Sequence, residues 1–505
     1  YLNNATEQEA IDLMFRFIQY IERQIVLFDA IEDAAFSSVN NMEGRGSLRD
    51  IKEKTDAKNK QKELIAFLEN FNVRTVLTAH PTQFYPGPVL GIINDLTAAI
   101  RKNDLIQIKQ LLAQLGKTPF IQNEKPNPFD EAISLIWYLE NVFYNTSGEM
   151  IHYLEKNVFD GTTIQNPLIK LGFWPGGDRD GNPFVTTEIT IKVAERLRTS
   201  ILKCYYFEIR NLKRKLTFSG VDVLISELEQ KLYRSVFYSK GEIFITLEEF
   251  KEQIHKIKTI IIEQHQSLYL DDLEALLIRV NLFGFHFATL DIRQNSKIHD
   301  AVFKDVVNFY LKSNTEVFPD NYFTLSEQEK FEVLENVSGD LDPNVFDNVI
   351  TRQTLESIQA VKTIQVNNGE FGANRYIISN NESALNVLET FALIKLSNWE
   401  EATIDIIPLF ESVDDLQHAH EIMEKLYTNA SYAAHLKRRG NKQTIMLGFS
   451  DGTKDGGYLM ANWSIYKAKE ALTEISRKYD VQAIFFDGRG GPPARGGGKT
   501  HKFYA

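Results

Sequence analysis

The stretch IDIIPLFE, residues 404–411, has the pattern that decides the fold: a short, almost wholly apolar run that stops at a carboxylate. Apolar strands of this kind are buried on both faces, as in a parallel sheet covered by helices. Six further runs rich in apolar, β-branched or aromatic residues end in polar or glycine-rich turns: 74–77, 168–173, 283–290, 376–379, 444–449 and 481–486. The sequence therefore predicts seven strands.

Most of the remaining sequence shows helical periodicity. Within residues 7–35 an apolar stripe recurs at three- and four-residue spacing, formed by Ile11, Met14, Phe15, Ile18, Ile21 and Ile25. Similar periodicity covers 89–114, 130–156, 188–235, 246–282, 296–312, 383–397 and 458–478. Seven buried strands alternating with helices predict an α/β fold, a helix-rich TIM-like barrel with large helical insertions, although periodicity alone does not exclude an open sheet.

Composition excludes several classes of protein. The chain has 505 residues, of which 43% are hydrophobic and 25% charged, so it can bury a large core. A net charge of -12 argues against a general nucleic-acid or membrane-surface binder. The single cysteine, Cys204, cannot form an internal disulfide, and no apolar run has the length of a membrane span. We expect a cytoplasmic protein whose sequence, from Tyr1 to Ala505, is cut at both ends.

Polar residues stand where the first two predicted strands end, which is where parallel barrels place catalytic groups. His80 follows the first strand and could carry a proton near neutral pH, although a lone histidine is more often structural. The loop GGDRDGNP, residues 176–183, follows the second strand. Its glycines let backbone amides approach an anion, and Asp178 and Asp180 could orient Arg179. A hydrated turn would explain this loop equally well.

Three later strands end in charged groups. Arg293 stands at the rim of the third strand beside a helix start, which suits a phosphate or carboxylate, although a surface salt bridge would also explain it. Glu411 ends one strand, and Asp451 and Lys454 follow the next. Two carboxylates from adjacent strands commonly hold magnesium or manganese, whereas a helix cap or salt bridge is the alternative for each.

The strongest single signal is residues 488–498, GRGGPPARGGG, which contain six glycines with Arg489 and Arg495. This composition cannot form the interior of a helix or strand, and it suits a multiply charged anion. A flexible basic linker is the alternative. Together, the strand ends describe a metal-assisted site for a phosphorylated carboxylic acid, but the residues alone do not name the reaction.

These motifs, in order and approximate spacing, resemble the bacterial and plant phosphoenolpyruvate carboxylases across residues 76–505. The motifs are TAHPT at 78–82, GGDRDGNP at 176–183, LDIRQ at 290–294, PLFE at 408–411, SD with KD at 450–455, and the two glycine-arginine segments of 488–498. The resemblance implies formation of oxaloacetate and phosphate from phosphoenolpyruvate and bicarbonate, through carboxyphosphate and an enolate. It also implies Mg²⁺ or Mn²⁺ and, for the full-length protein, a homotetramer.

The resemblance also implies the roles of individual residues. For catalysis the candidates are His80, Lys454, Arg489 and Arg495; for substrate binding Arg293, Arg489, Arg179, Trp174 and Asp487; and for the metal Glu411 and Asp451. His80 would take the carboxyl proton of carboxyphosphate, and Trp174 would line a carbon dioxide pocket. Several positions depart from the family pattern: Gln83, Phe84, Tyr85, Pro86, Asp487, Pro492, Pro493, Ala494 and Lys499. The missing basic groups and the added carboxylate of Asp487 make the site less positive than expected.

The predicted organisation is an N-terminal helical segment, residues 1–75, followed by an incomplete catalytic barrel, residues 76–505. The resemblance implies a (β/α)8 TIM-like barrel, so we expect the eighth strand to lie beyond Ala505 and the fragment alone to be inactive. The alternative is a noncatalytic relative that binds a phosphorylated metabolite. Neither reading includes a nucleic-acid or membrane partner.

Overall fold

The structure, a computed structural model, describes residues 6–41, 44–78, 85–120, 126–238, 242–313 and 315–488. These residues form two compact units. The first contains described residues of 6–65 and 85–127, and the second contains those of 66–78 and 128–488. The domain boundary expected after residue 75 stays a prediction, because compactness alone does not show which segments fold independently.

The first unit is helical. It contains α1 (Glu7–Val39), α2 (Leu48–Ala57), the start of α3 (Gln61–Asn70), α4 (Gly87–Arg101) and α5 (Leu105–Lys117). Thr6 caps α1, and the Glu9 side chain completes a capping box. The core of this unit joins Val26 and Ala30 of α1 to apolar residues of α4 and α5.

The apolar stripe predicted for α1 forms a helix as expected but is not buried. All six of its residues are more than 40% exposed. The residues that α1 buries are Val26, Ala30 and Ala34 instead. Periodicity therefore predicted the helix correctly, whereas the face that it identified is solvent-accessible in this chain.

The second unit is built on seven strands surrounded by helices. The strands are β1 (Val73–Leu77), β2 (Ile169–Phe173), β3 (Thr289–Asn295), β4 (Arg375–Ser379), β5 (Asp405–Phe410), β6 (Lys442–Gly448) and β7 (Gln482–Gly488). The helices are α6 (Pro128–Tyr138), α7 (Tyr144–Asn157), α8 (Thr187–Lys215), α9 (Asp222–Phe237), α10 (Leu247–Gln264), α11 (Leu270–Phe283), α12 (Ser296–Lys312), α13 (Glu327–Glu335), α14 (Val349–Asn368), α15 (Ala384–Leu396), α16 (Val413–Thr428), α17 (Ala430–Arg438) and α18 (Phe449–Lys478). None of the helices in the described ranges is long and apolar enough to cross a membrane.

The strands pair in chain order, and every pairing is parallel. The long insertions precede β2, β3 and β4, as the wide strand spacing predicted. Among the described residues, β1 and β7 each pair with one neighbour only. The curled sheet is consistent with a TIM-like barrel missing one strand, which confirms the predicted fold class.

The two faces of the sheet carry separate apolar clusters. Side chains alternate along a strand, so Tyr376 and Ile378 of β4 join the large core beneath the helices, whereas Ile377 faces the other way. On that concave face Ile377 packs with Ile407, Leu409 and Met446, and Trp174 and Phe486 lie against them. The interior of the curled sheet is thus apolar midway along the strands.

One strand lies elsewhere than predicted. The sequence suggested residues 283–290, but α11 ends at Phe283 and β3 spans Thr289–Asn295. Gly284 and Phe287 have positive φ angles of 49° and 62°, which a strand interior does not allow. Their aromatic neighbours are buried in a tight turn, so burial and not strand pairing explains the apolar run.

Candidate functional site

The carboxyl ends of β5 and β6 bring two acidic side chains together. Glu411 follows β5 directly, and Asp451 lies in the first turn of α18, which begins after β6. Gly448 allows the close approach, because a Cβ at this position would lie 3.1 Å from the Glu411 Cα. Burial, and then the negative charge of Asp451, raise the pKa of Glu411 to about 7. The two carboxylates therefore form one electrostatically coupled pair.

Lys454 partly neutralises this pair. Its Nζ lies 2.7 Å from Asp451 Oδ1, one helical turn along α18. Both side chains reach solvent, so the ion pair is of the exposed kind that contributes little to stability. A cation is thus already attracted to the position that the sequence assigned to a metal.

The pair fits a hard divalent ion. Mg²⁺ and Mn²⁺ take oxygen ligands, and Mg²⁺ usually keeps several waters beside one or two carboxylates. No cluster of three or more histidine, cysteine, aspartate or glutamate side chains within the described residues could hold a metal ion. Glu411 and Asp451 could supply two of the oxygen ligands, with water and substrate oxygens at the other positions.

Part of the loop 176–183 pairs with β3 through an isolated parallel bridge between Asp178 and Arg293. After β2 ends, the chain bulges and pairs again with β3: Arg179 N donates to Arg293 O at 2.9 Å, and Arg293 N donates to Gly177 O at 3.1 Å. A Cβ at Gly177 would lie 2.1 Å from the backbone oxygen of Asp291. Only glycine fits this approach, which fixes the loop over the end of β3.

Arg293 is the arginine that this loop orients. Its Nε lies 2.8 Å from Asp178 Oδ1, and its Nη2 lies 3.4 Å from Asp180 Oδ2. Burial lowers the pKa of Arg293, but the Asp178, Asp180 and Glu411 charges outweigh burial and raise it. The sequence had predicted that the same two carboxylates would orient Arg179, which was the wrong partner.

Arg179 points away from this cluster. Its Nη1 donates a hydrogen bond of 2.9 Å to the backbone oxygen of Gln353 in α14. Burial also lowers the pKa of this guanidinium. The contact ties the loop to the surrounding helices, so the structure does not bring Arg179 together with the other predicted substrate residues.

Trp174 lies beside Arg293 on the concave face. The Arg293 guanidinium carbon is 5.0 Å from the centroid of the indole ring, a cation–π distance. Phe486 of β7 meets the same ring edge-on, with centroids 6.1 Å apart. The positive arginine and the apolar interior of the sheet thus contact the same indole ring.

The remaining predicted residues lie elsewhere or outside the described part of the chain. Asp487 follows Phe486 in β7, and its Oδ1 lies 2.7 Å from Nζ of Lys469 in α18. This ion pair connects Asp487 to that helix. Three of the catalytic candidates and six of the departures lie outside the described ranges: His80, Arg489 and Arg495, and Gln83, Phe84, Pro492, Pro493, Ala494 and Lys499.

Sequence reasoning missed one buried charge. Asp291 is fully buried, and its carboxylate contacts Trp174, Arg74 and Arg375. The available signal was a set of charged residues inside otherwise apolar strands, where an unpaired charge is costly.

Comparison with known protein families agrees with the motifs. The phosphoenolpyruvate carboxylase family model matches residues 8–240 and 226–503, which together cover nearly the whole chain. The matched ranges include the acidic pair, the loop that holds Arg293, and the aromatic wall. The chain therefore belongs to the phosphoenolpyruvate carboxylase family.

Proposed function

We propose that the protein converts phosphoenolpyruvate and bicarbonate to oxaloacetate and phosphate, through carboxyphosphate and the enolate of pyruvate. The observation that carries this proposal is the convergence of Glu411, Asp451 and Arg293 beside Trp174. The acidic pair suits a divalent ion, the arginine suits a phosphate, and the aromatic wall suits carbon dioxide. A simple anion-binding site would not need all three.

Glu411 and Asp451 would hold Mg²⁺ or Mn²⁺, the divalent ion that the family uses. When bound, the ion supplies Lewis-acid stabilisation of negative charge on substrate oxygen. Lys454 would then exchange its contact with Asp451 for one with substrate. Its three donors and flexible stem suit such a change of partner.

Arg293 would bind the substrate phosphate. Asp178 and Asp180 fix the orientation of its guanidinium, so binding costs little side-chain entropy. The two carboxylates also temper its charge. Arg489 and Arg495 would complete the anion site, a role that rests on the family resemblance.

His80 would take the carboxyl proton of carboxyphosphate as it breaks down to phosphate and carbon dioxide. Carbon dioxide would remain against Trp174 and the apolar interior until the enolate attacks it, with water excluded. Arg179 and Asp487 keep their proposed substrate roles only if their present contacts with Gln353 and Lys469 exchange for substrate. We further propose that the complete protein is a cytoplasmic homotetramer.

A coupled assay tests the proposed reaction. The complete protein is purified and given phosphoenolpyruvate, bicarbonate and Mg²⁺, and oxaloacetate is followed by its reduction with malate dehydrogenase and NADH. We expect turnover that requires all three additions. Phosphoenolpyruvate binding by calorimetry without any oxaloacetate would instead establish the noncatalytic metabolite-binding alternative.

A further inference from the structure

Asp291 is a buried carboxylate that the proposed chemistry does not use. It lies in β3, two residues before Arg293, and is inaccessible to solvent. Its Oδ1 accepts a hydrogen bond from Arg74 Nη2 at 2.5 Å and lies 3.2 Å from Arg375 Nε. Burial, opposed by Asp291, lowers the pKa of Arg74 only to about 10, so Arg74 is charged at neutral pH. We call these three residues the ionic platform.

The ionic platform holds the two aromatic rings of the site. Asp291 Oδ2 accepts a hydrogen bond from the indole Nε1 of Trp174 at 3.1 Å. The guanidinium carbon of Arg375 lies 5.6 Å from the ring centroid of Phe486. One ring is thus fixed by a charge-assisted hydrogen bond and the other by a cation–π contact.

The rings transmit this constraint to the substrate side. Trp174 and Phe486 pack edge to face, and the guanidinium of Arg293 lies over the indole. An indole that rotated away from Asp291 would remove the surface on which Arg293 rests. It would also open the apolar wall formed with Ile377 and Leu409.

We propose that Asp291, Arg74 and Arg375 are positioning residues that set the orientation of Trp174 and Phe486, and through Trp174 the placement of Arg293. In this role the ionic platform holds the aromatic side of the proposed carbon dioxide pocket in place while Arg293 binds phosphate. The inference deepens the proposed function and rests on it for its kinetic consequences, but not for its structural ones.

The structural consequence is measured by ¹⁹F NMR on protein labelled with 5-fluorotryptophan. The chain contains four tryptophans, and the Trp174 resonance is identified by its loss in Trp174→Phe. Arg375→Met removes the contact with Phe486 but leaves Asp291 paired with Arg74, so this variant keeps the buried charges balanced. We expect the Trp174 resonance to shift or broaden in Arg375→Met and in Asp291→Asn, and the other resonances to stay in place.

Arg198→Met is the matched control. Arg198 is also largely buried, and its guanidinium lies 5.6 Å from the ring of Phe285, the same distance as in the Arg375 and Phe486 pair. Its Nε donates to the backbone oxygen of Asn367 and, within the described residues, Arg198 forms no ion pair with Asp291. The Trp174 resonance should not change in this variant.

The kinetic consequence is a leak of carbon dioxide. When the aromatic side of the pocket is loose, carbon dioxide escapes before the enolate attacks it, the enolate takes a proton from water, and pyruvate is released in place of oxaloacetate. We expect the ratio of pyruvate to oxaloacetate to rise about tenfold in Arg375→Met, since small displacements of reacting groups have effects of this size. A merely destabilised enzyme would lose both products in proportion.

An unchanged Trp174 resonance together with an unchanged product ratio in Arg375→Met would overturn the proposal. If Asp291→Asn does not fold, Arg375→Met and its control decide the matter alone. If the unmodified protein makes no oxaloacetate from phosphoenolpyruvate and bicarbonate, the proposed function fails, and the ¹⁹F comparison then decides the positioning role separately.

Discussion

Glu411 and Asp451 illustrate which site residues a sequence can reveal. Each follows an apolar strand directly, so local pattern and the geometry of parallel sheets place both at one edge. The contact between Arg293 and Asp178 could not be predicted from local pattern, because the two positions lie 115 residues apart in the sequence. Local spacing suggested Arg179 as the partner, and only the folded chain shows that the bulged loop presents its carboxylates to β3.

Removing either carboxylate of the acidic pair should weaken metal binding. Glu411→Gln and Asp451→Asn each leave one charged oxygen ligand where two are present, so we expect the Mn²⁺ dissociation constant to rise at least about tenfold. Electron paramagnetic resonance of free Mn²⁺ measures this without any assay of activity. The control is Glu470→Gln, because Glu470 forms a similar exposed pair with Lys467 on the same helix. Equal Mn²⁺ affinity in all three variants would contradict the assignment.

We expect Arg179 to stabilise the loop 176–183, and any contact of Arg179 with substrate to be secondary. Arg179→Gln removes the shorter of two side-chain hydrogen bonds to the part-buried Gln353 oxygen, the other coming from Thr187 Oγ1 at 3.5 Å, and we expect a loss of stability of about 0.5–1.5 kcal/mol. Proteolysis within 176–183 should become faster at the same time. The control is Arg352→Lys, because Arg352 precedes Gln353 in α14. Weaker phosphoenolpyruvate binding at unchanged thermal stability would show that Arg179 contacts substrate directly.

At the level of elements, apolar runs predicted six of seven strands to within about two residues. The exception, β3, carries Asp291, Arg293 and Asn295 on one face, so its sequence is too polar to read as a buried strand. The sequence analysis did not predict helices α2, α3, α13, α14, α16 and α17. The signal for α16 was present, because it buries Leu416, Ala419 and Met423 at three- and four-residue spacing. In α14 threonine and serine side chains are part of the buried face, which weakens the apolar pattern.

Helix α15 supplies a pH-dependent prediction, because it buries Glu389 among apolar neighbours. Burial, and then the charge of Asp300, raise the pKa of Glu389 to about 8, and Lys330 and Lys304 oppose this. A carboxyl whose pKa is higher in the folded state than in the unfolded state destabilises the fold increasingly as the pH rises between the two values. At pH 8.5 Glu389→Gln should therefore raise the melting temperature and increase the free energy of unfolding by on the order of 2 kcal/mol. At pH 4.5 it should change the melting temperature little.

Differential scanning fluorimetry at the two pH values measures this difference. Glu382→Gln is the control, since Glu382 is exposed and lies just before the same helix. The interpretation of Glu389 would be contradicted by a Glu389→Gln effect of equal size at both pH values.

For the molecule as a whole, the local sequence pattern predicts some features of the structure and not others. The barrel class and the edge that carries the site follow from seven apolar runs and the polar residues after them. Two other features do not follow from the local sequence pattern: the solvent exposure of the α1 stripe, and the existence of the ionic platform. Both depend on what lies opposite a side chain in space. Sequence periodicity identifies an apolar face, but it cannot say what covers that face.

The contact between Arg74 and Asp291 joins positions 217 residues apart, which has a consequence for folding kinetics. Closing so long a loop is entropically costly, so contacts of this span form late, after local helices and neighbouring strand pairs. A residue whose contacts form after the rate-limiting step affects the unfolding rate and not the folding rate. Arg74→Met, which removes this contact, should therefore speed unfolding in denaturant while leaving the main refolding phase nearly unchanged, as stopped-flow fluorescence can measure. A refolding rate that falls in proportion to the lost stability would instead place this cluster of charges in the folding nucleus.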